Sequence, residues 1–584
     1  MRRRRATSIV PSVTAGGVAE RGGLVHAASL EKLRESGRLV TAVAGHTVAL
    51  FLDGDDVRAV DNRCPHMGFP LHRGTCGDGI LTCHWHHARF DLETGGTFDP
   101  WADDLRTFPV EVADGEVFID PRPQHDAEAH QRRRLRDGLE RDLPLVLAKG
   151  VLVVDTREAL RIGIEFGTTY RRDGWGRGLT ILACMANLLP KLEDEDVPRA
   201  TYHALAAVAE ESAAEPARFA LRPLPESHAP AETLARWFRR FVEVRDADGA
   251  ERCVVSAVRA GASKEELARM LFAAATDHRY LEGGHVLDFT NKAFEALDAA
   301  GWDLAETALG SLARELSEAE RMEESNAWRH PVDLIVILDG AFAELPAALA
   351  GPRQPWDGRR PLVDVVLGDD PAAIASALVE SLRNGASEVD VASAVTLAAA
   401  LRIARFPTSN EFGDWDTALH TFTFANAVEQ GLRRAPSPEL VRGVFDAAMS
   451  VYLDRFLNVP ATRLPAGEGD AMPDDFAPLL DRQQQVDEAG ALVASYLRAG
   501  GDYAPLQATL AHLLLREDRN FHTIQSIEAA FRQVERLGES DDATLMLIAA
   551  ARYLAAHAPT ARAENQTFEI ARRLHRGERI YEDE

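Results

Sequence analysis

Cysteine is scarce: five in 584 residues, at positions 64, 76, 83, 184 and 253. So few, so widely scattered, exclude a disulfide framework and suit a reducing compartment, so a cytoplasmic address is expected. Long apolar runs are missing too. The two best candidates, near Leu334 and near Val395, are broken by Asp339 and Arg402, and no spanning helix is expected. Positive charge is in deficit, with 65 Lys and Arg against 91 Asp and Glu and a net charge of −26. An acidic surface attracts neither nucleic acid nor an anionic membrane, so neither is expected as a partner. What remains is the make-up of ordinary globular protein, 46% hydrophobic and 27% charged, long enough for several domains.

The chain opens with four arginines, but the segment behind them is short, interrupted by Pro11 and without the apolar core of an export signal. Residues 1–23 are expected to be a disordered basic arm. From Leu24 the pattern turns to β. The runs LVTAVAG, TVALFLD and VRAVDN alternate and are rich in β-branched residues, with turn residues between them. Further on, TFPVEVADGEVFID predicts a hairpin turning at Asp114-Gly115.

Between these strands lies the most informative stretch, Asn62 to Gly95: NRCPHMGFPLHRGTCGDGILTCHWHHARFDLETG. It carries Cys64-x-His66, sixteen residues, then Cys83-x-x-His86. Two thiols and two imidazoles on two short loops can hold one metal centre. Cys-x-His is tighter than the two-to-four-residue spacing of ordinary zinc ligand pairs. It suits a [2Fe–2S] cluster whose cysteines take one iron and whose histidines take the other. A structural zinc site is the plain alternative, and His84 and His87 flank the second histidine as competitors.

These words resemble the Rieske iron–sulfur domain over roughly Leu24 to Pro121: CPHMGFPL, the hairpin with Gly74, Gly77 and Gly79, LTCHWH, and ARFDLETG. The resemblance implies a [2Fe–2S] cluster on Cys64, His66, Cys83 and His86 in a small all-β domain at residues 24–122. It favours His86 over its neighbours. Where respiratory members carry a further disulfide-bonded pair, this chain has Gly68 and Trp85. That departure resembles the ferredoxin and oxygenase branch and implies a low-potential carrier rather than a quinol oxidase subunit. The implied partner is an electron-donating reductase or ferredoxin.

A charged helical linker is expected at residues 123–142. His125 and His130 form H-x4-H there, the spacing of an oxygenase iron pair, but an arginine-rich setting without matching Asn and Asp reads as an exposed linker. From about Leu143 the signal is helical almost throughout, giving a large all-α region with halves at 143–355 and 356–584. Duplicated helical hairpins are expected within it. The segments from Cys253 and from Ala377 both read helix, Gly-Ala-Ser cap, helix, loop, then a histidine opening another helix. They align His285 with His420, Phe289 with Phe424 and Asn291 with Asn426, the second carrying a longer loop. Weaker copies bring His522 and His203 to the same place.

Acidic residues precede several of these histidines: Asp277, Glu411, Asp414, Asp416, Glu517 and Asp518, with His278 adding an imidazole. Helical bundles build carboxylate-and-histidine iron sites from separate helices, and such ligands with open positions suit non-haem iron and oxygen chemistry. The expected catalytic set is His203, His285, His420 and His522 with Asp277, Glu411, Asp414 and Asp518. The bland reading makes these core or capping groups. Tyr170 and Trp175 lie in a Gly-rich stretch suited to a pocket wall. The expectation is therefore an oxidoreductase passing single electrons from the cluster to a non-haem metal and oxygen site, acting on an unnamed small molecule. The alternative is a non-catalytic carrier or redox sensor whose helices dock a partner protein. A homo-oligomer stays open.

Overall fold

The computed structural model describes residues 20–21, 23–122, 127–225, 228–467, 471–578 and 580. Most of the expected basic arm lies outside them, as do His125 and residues 581–584. The arm's last residues are not irregular: Glu20–Arg21 form a short strand paired with Val25 and Leu24. The chain divides into two compact units, one running to His130 and including Ile570 onward, the other Gln131–Glu569.

The first unit is a small β structure of three sheets. In one, the order is Glu20–Arg21, Leu24–Ser29, Glu116–Ile119, Val110–Ala113. A second runs Arg38–Val43, His46–Asp53, Asp56–Asp61, Thr107–Phe108. The third is a meander of Thr75–Gly77, Ile80–Thr82 and Arg89–Asp91. Alternating apolar residues give its interior: Val48, Leu50 and Val117 pack with Phe108 and Ile119 at one end. Ala49, Phe51 and Val60 pack with Leu81, Phe90 and the two loop cysteines at the other. The expected hairpin forms, with Asp114 at φ 56° and Gly115 at φ 80° and Ala113 opposite Glu116. Two positive φ values in a two-residue turn match the right-handed twist of the strands it joins. Gly95 has no substitute, since a Cβ there would sit 1.9 Å from the Leu105 carbonyl oxygen.

The second unit is all α among the described residues. The linker is a helix, Ala127–Glu140, whose first residues belong to the first unit, and helices follow one another to Ala563–His575, whose last residues belong to it as well. No described helix is long and apolar enough to cross a membrane. The two Gly-Ala-Ser words stand at the same kind of joint. Ser263 and Ser387 each start a helix with a reciprocal cap, Ser263 with Glu266 and Ser387 with Asp390. Each cap satisfies two backbone donors that the first helical turn leaves free. The interior helices are buried on every side: every residue from Val391 to Ala404 is buried, most of them apolar.

One expectation about the joints is corrected. His285 opens its helix, His285–Ala300, and His522 is second in Phe521–Leu537, but His420 is ninth in Phe412–Arg434. Much of the extra length expected as loop before His420 is helix instead, because Glu411 and Asp414 cap it early.

Candidate metal centres

In the β unit, two loops of like construction bring the four cluster residues together. In the first, the Gly68 N–H donates to the Cys64 carbonyl at 2.7 Å and the Cys64 N–H donates to the Phe69 carbonyl at 2.8 Å. In the second, the Cys83 N–H donates to the Ala88 carbonyl at 2.8 Å. Both sulfurs are buried, Cys64 3% and Cys83 1% exposed. The thiols hydrogen-bond each other, which lowers Cys83 and raises Cys64, burial adding to the rise. The rings of His66 and His86 lie edge to face at 4.8 Å, and Trp101 packs 4.7 Å from His66. His86 is exposed, while His66 is half-buried with Nδ1 turned away from solvent.

Of the competing histidines, one has another partner and the other is exposed. His84 Nε2 lies 2.5 Å from Thr75 Oγ1, and His87 stands exposed at φ 63°. His130 of the linker pairs with Asp103 at 2.7 Å. Two neighbouring sulfurs in the interior and two imidazoles side by side at the rim fit a [2Fe–2S] cluster, with Cys64 and Cys83 to hold one iron and His66 and His86 the other. Such a cluster supplies one-electron transfer.

A small β domain with a Cys-His pair on each of two loops defines an iron–sulfur electron-transfer module. The family model described as "Rieske [2Fe-2S] domain" matches residues 24–109. Apoptosis-inducing factor 3 of Homo sapiens is 36% identical over 87 residues, which are 15% of this chain and 14% of that protein. The ferredoxin component of the p-cumate 2,3-dioxygenase system of Pseudomonas putida is 34% identical over 79 residues, 13% of this chain and 67% of that one. The ferredoxin of carbazole 1,9a-dioxygenase from Nocardioides aromaticivorans is 29% identical, with a TM-score of 0.17, covering 17% of this chain and 100% of that one. The chain belongs to the Rieske [2Fe-2S] family through its β domain, and it spans a small part of the length of apoptosis-inducing factor 3.

In the helical unit, three of the four singled-out histidines meet. One ring nitrogen from each of His285, His420 and His522 lies within 4.8 Å of the other two. His420 Nε2 is 2.9 Å from His522 Nε2, and the His285 and His420 ring centroids are 4.5 Å apart. His285 Nδ1 lies 2.9 Å from the Glu282 carbonyl oxygen, which can only accept, so Nδ1 carries the proton and Nε2 keeps its lone pair. His522 Nδ1 lies 3.4 Å from an Asp416 oxygen, which likewise leaves its Nε2 as a donor of electrons. Burial lowers His285 and His420, His420 to about 3, and the neighbouring imidazoles add to that. Half-buried imidazoles whose ring nitrogens approach one another are what a metal ligand set requires, and a lowered pKa keeps His285 and His420 in the neutral form that binds a metal.

The other chosen residues are used elsewhere. His203 is buried between the Glu564 carboxylate at Nδ1 and the Leu515 carbonyl, 3.1 Å from Nε2. Asp277 forms an ion pair with Arg239, with Arg442 3.7 Å away. Asp518 accepts from the Ala563 and Glu564 N–H groups at 2.9 Å. Glu411 and Asp414 cap the helix that carries His420. Neighbours in sequence, they are taken up by the free N–H groups of helix starts and by long-range arginines. His278 lies between Glu323 at 2.6 Å and Glu243 at 2.8 Å.

The carboxylate beside the triad is Asp416, left out of the expected set. It accepts from the Tyr553 hydroxyl at 2.5 Å, and His557 Nε2 is 4.0 Å away. Burial pushes its carboxyl up, but the hydrogen bonds from His522 and Tyr553 outweigh that and hold it at about 2. Spacing offered a signal: Asp416 is four residues before His420, one turn along the same helix face.

Proposed function

We propose that this chain is a Rieske-dependent oxidoreductase in which single electrons from the [2Fe–2S] cluster serve a metal ion, non-haem iron, held by His285, His420 and His522. The observation that carries this reading is the approach of three imidazoles from helices far apart in sequence, with one ring nitrogen of each within 4.8 Å of the others. Without a cation, two Nε2 atoms 2.9 Å apart share at most one proton, and the third imidazole adds a further lone pair. A metal with three histidine ligands and open positions suits oxygen chemistry, and a one-electron donor in the same chain supplies what such chemistry consumes. In this reading Asp416 orients His522, the Glu282 carbonyl orients His285, and the aromatic rings of Phe289 and Phe521 beside His285 limit water. An external reductase or ferredoxin reloads the cluster, and the electron passes from cluster to metal within one chain or between two.

The relatives described as ferredoxin components of dioxygenase systems favour a second reading, a carrier whose helices dock a separate oxidase. Metal analysis of the anaerobically prepared full chain separates the two. The first reading expects about three irons per chain, two in the cluster and one beyond it, falling to about two in His420→Ala with the cluster spectrum unchanged. Two irons in both proteins, with no other metal, would remove the catalytic reading and leave the docking one.

A further inference from the structure

Two cavities of the helical unit differ in how their charges are spent. The larger, about 1010 Å³, has Trp175, Phe289 and Phe521 in its wall. Both phenyl rings also pack on His285, at centroid distances of 5.5 and 6.0 Å. Tyr170 does not line it and stacks on Phe166. That wall is rich in acids, and its arginines serve them: Arg171 lies 3.4 Å from Glu211, and Arg314 lies 2.7 Å from Glu318. The smaller cavity, about 430 Å³, is of the size of small-molecule sites and has the opposite balance. Arg402, Arg405 and Arg455 line it, against a single acid, Asp369.

None of these three arginines forms an ion pair among the described residues. Arg402 is 5% exposed and donates only to neutral oxygens. Its Nε reaches the Val451 carbonyl at 3.1 Å, Nη1 the Asn458 Oδ1 at 3.2 Å and Nη2 the Leu367 carbonyl at 3.1 Å. Leu367 and Asn458 are themselves wall residues, so the outer end of this guanidinium belongs to the wall. Each terminal nitrogen keeps a second N–H. Arg455 donates to the Tyr452 carbonyl at 2.8 Å and lies over the Tyr452 and Phe456 rings, 3.8 and 4.1 Å from their centres. The Arg405 side chain has neither hydrogen bond nor ion pair among the described residues. Carbonyl dipoles hold the first two in place but supply only part of a counter-charge. The three cations also repel one another. Burial lowers Arg402 to about 10, and Arg455 and Arg405 add to the fall against the pull of Asp454. Buried charge is ordinarily matched by an opposite charge, and this chain has 91 acidic residues to draw on. Beside the arginines, Phe456 and Val459 of the same wall are 68% and 70% exposed.

We propose that this cavity binds a small organic anion, a carboxylate on an apolar body, whose oxygens are received by Arg402, Arg405 and Arg455 and whose body lies against Phe456 and Val459. The planar fork of a guanidinium matches the two oxygens of a carboxylate. The apolar surface at the opening favours a ligand with a body to bury over a bare inorganic ion. None of these residues belongs to the three-histidine set, so the site is separate from the metal reading above.

The test is calorimetric titration of the full chain at pH 7 with benzoate, benzyl alcohol and inorganic phosphate. Benzoate should bind, and the other two about tenfold or more weakly. Arg405→Gln breaks no described contact of that side chain, and it should weaken benzoate by about ten- to a hundredfold, as loss of a charge-assisted hydrogen bond does. Phe456→Ala, at an exposed position, should weaken benzoate by about three- to tenfold through lost apolar contact. Arg463→Gln removes the same charge from an exposed residue outside the wall and should bind within about threefold of the native chain. No binding of benzoate, equal binding of benzyl alcohol, or phosphate bound as tightly as benzoate would each overturn the proposal. So would benzoate binding unchanged in either wall variant, or lost equally in Arg463→Gln. The iron count does not depend on these residues, so the two readings can fall separately.

Discussion

Replacing Asp416 by Asn tests the three-histidine site through a residue that is not itself a ligand. The side chain keeps its size and loses its charge. In the native chain one oxygen accepts a hydrogen bond from the Tyr553 hydroxyl at 2.5 Å and the other faces His522 Nδ1 at 3.4 Å. An amide NH₂ turned toward Nδ1 would donate instead of accept. The His522 proton would then move to Nε2, the atom 2.9 Å from His420 Nε2, and remove a lone pair from the shared point. Outer-shell losses of this kind cost about 10- to 100-fold in metal affinity, or about 1.4–2.7 kcal/mol. The carboxyl is held at about 2, so it is an anion throughout neutral pH and the loss should be the same at pH 6 and pH 8. A carboxylate lowered from 3.8 stabilises the fold above that value and loses the contribution as pH falls toward 2. The metal-free variant should therefore also be less stable at pH 7, by at most ~2 kcal/mol. The assay is competition for the metal against a chromophoric chelator, with the visible cluster spectrum as internal control. Unchanged affinity would refute the reasoning, and so would parallel loss of the cluster signal, which would mean general damage.

Three further outcomes are expected. Cys83→Ser and His86→Ala should abolish the Rieske-type optical and spin-resonance signals, while His84→Ala and His87→Ala keep them; loss in His84→Ala with retention in His86→Ala would reassign the ligand. Lys292→Met should cost about 3–5 kcal/mol in chemical denaturation, because Lys292 Nζ sits 2.8 Å from Glu295 and 2.6 Å from Glu528 in the buried core and its loss strands two carboxylates; a loss under about 1 kcal/mol would mean Arg532 alone balances them. Burial raises Asp454 to about 7, although the Thr421 hydroxyl donates to it at 2.7 Å. Between about pH 4 and 7 the folded chain then holds a proton that the unfolded chain has released, so this residue's contribution falls as pH rises, by roughly 1.4 kcal/mol per unit at most. Asp454→Asn should accordingly gain on the native chain from pH 5 to pH 8, and a pH-independent difference would contradict the shift.

The cluster was legible because its information is local. Cys64-x-His66 and Cys83-x-x-His86 each occupy one tight turn, and the turns are joined by a short meander whose hairpin residues are equally visible. Such spacing sets which donors can face one metal before any long-range contact forms. Alternation and turn pairs likewise marked the β domain, and three-to-four periodicity marked the helical one. The repeat pattern also singled out His285, His420 and His522. It placed His203 beside them on equal terms, and nothing in sequence distinguishes a histidine aimed at a shared point from one closed off by Glu564 and a backbone carbonyl.

Carboxylate assignment shows where sequence stops. Asp277, Glu411, Asp414 and Asp518 were chosen for standing just before the histidines, but that is also where helix starts leave N–H groups free, and capping claimed three of them. Asp416 stands a turn further along, past the caps, and its hydroxyl donor, Tyr553, comes from 137 residues away. The domain class, the candidacy of Cys64, His66, Cys83 and His86 as cluster ligands, and the identity of three meeting histidines follow from residue order, because local spacing and helix period decide them. Which acid accompanies the histidines, and that an acid-walled cavity lies beside the phenyl rings that pack on His285, follow only from the packing of helices far apart in sequence, since burial and long-range pairing decide which charges are spent on the fold.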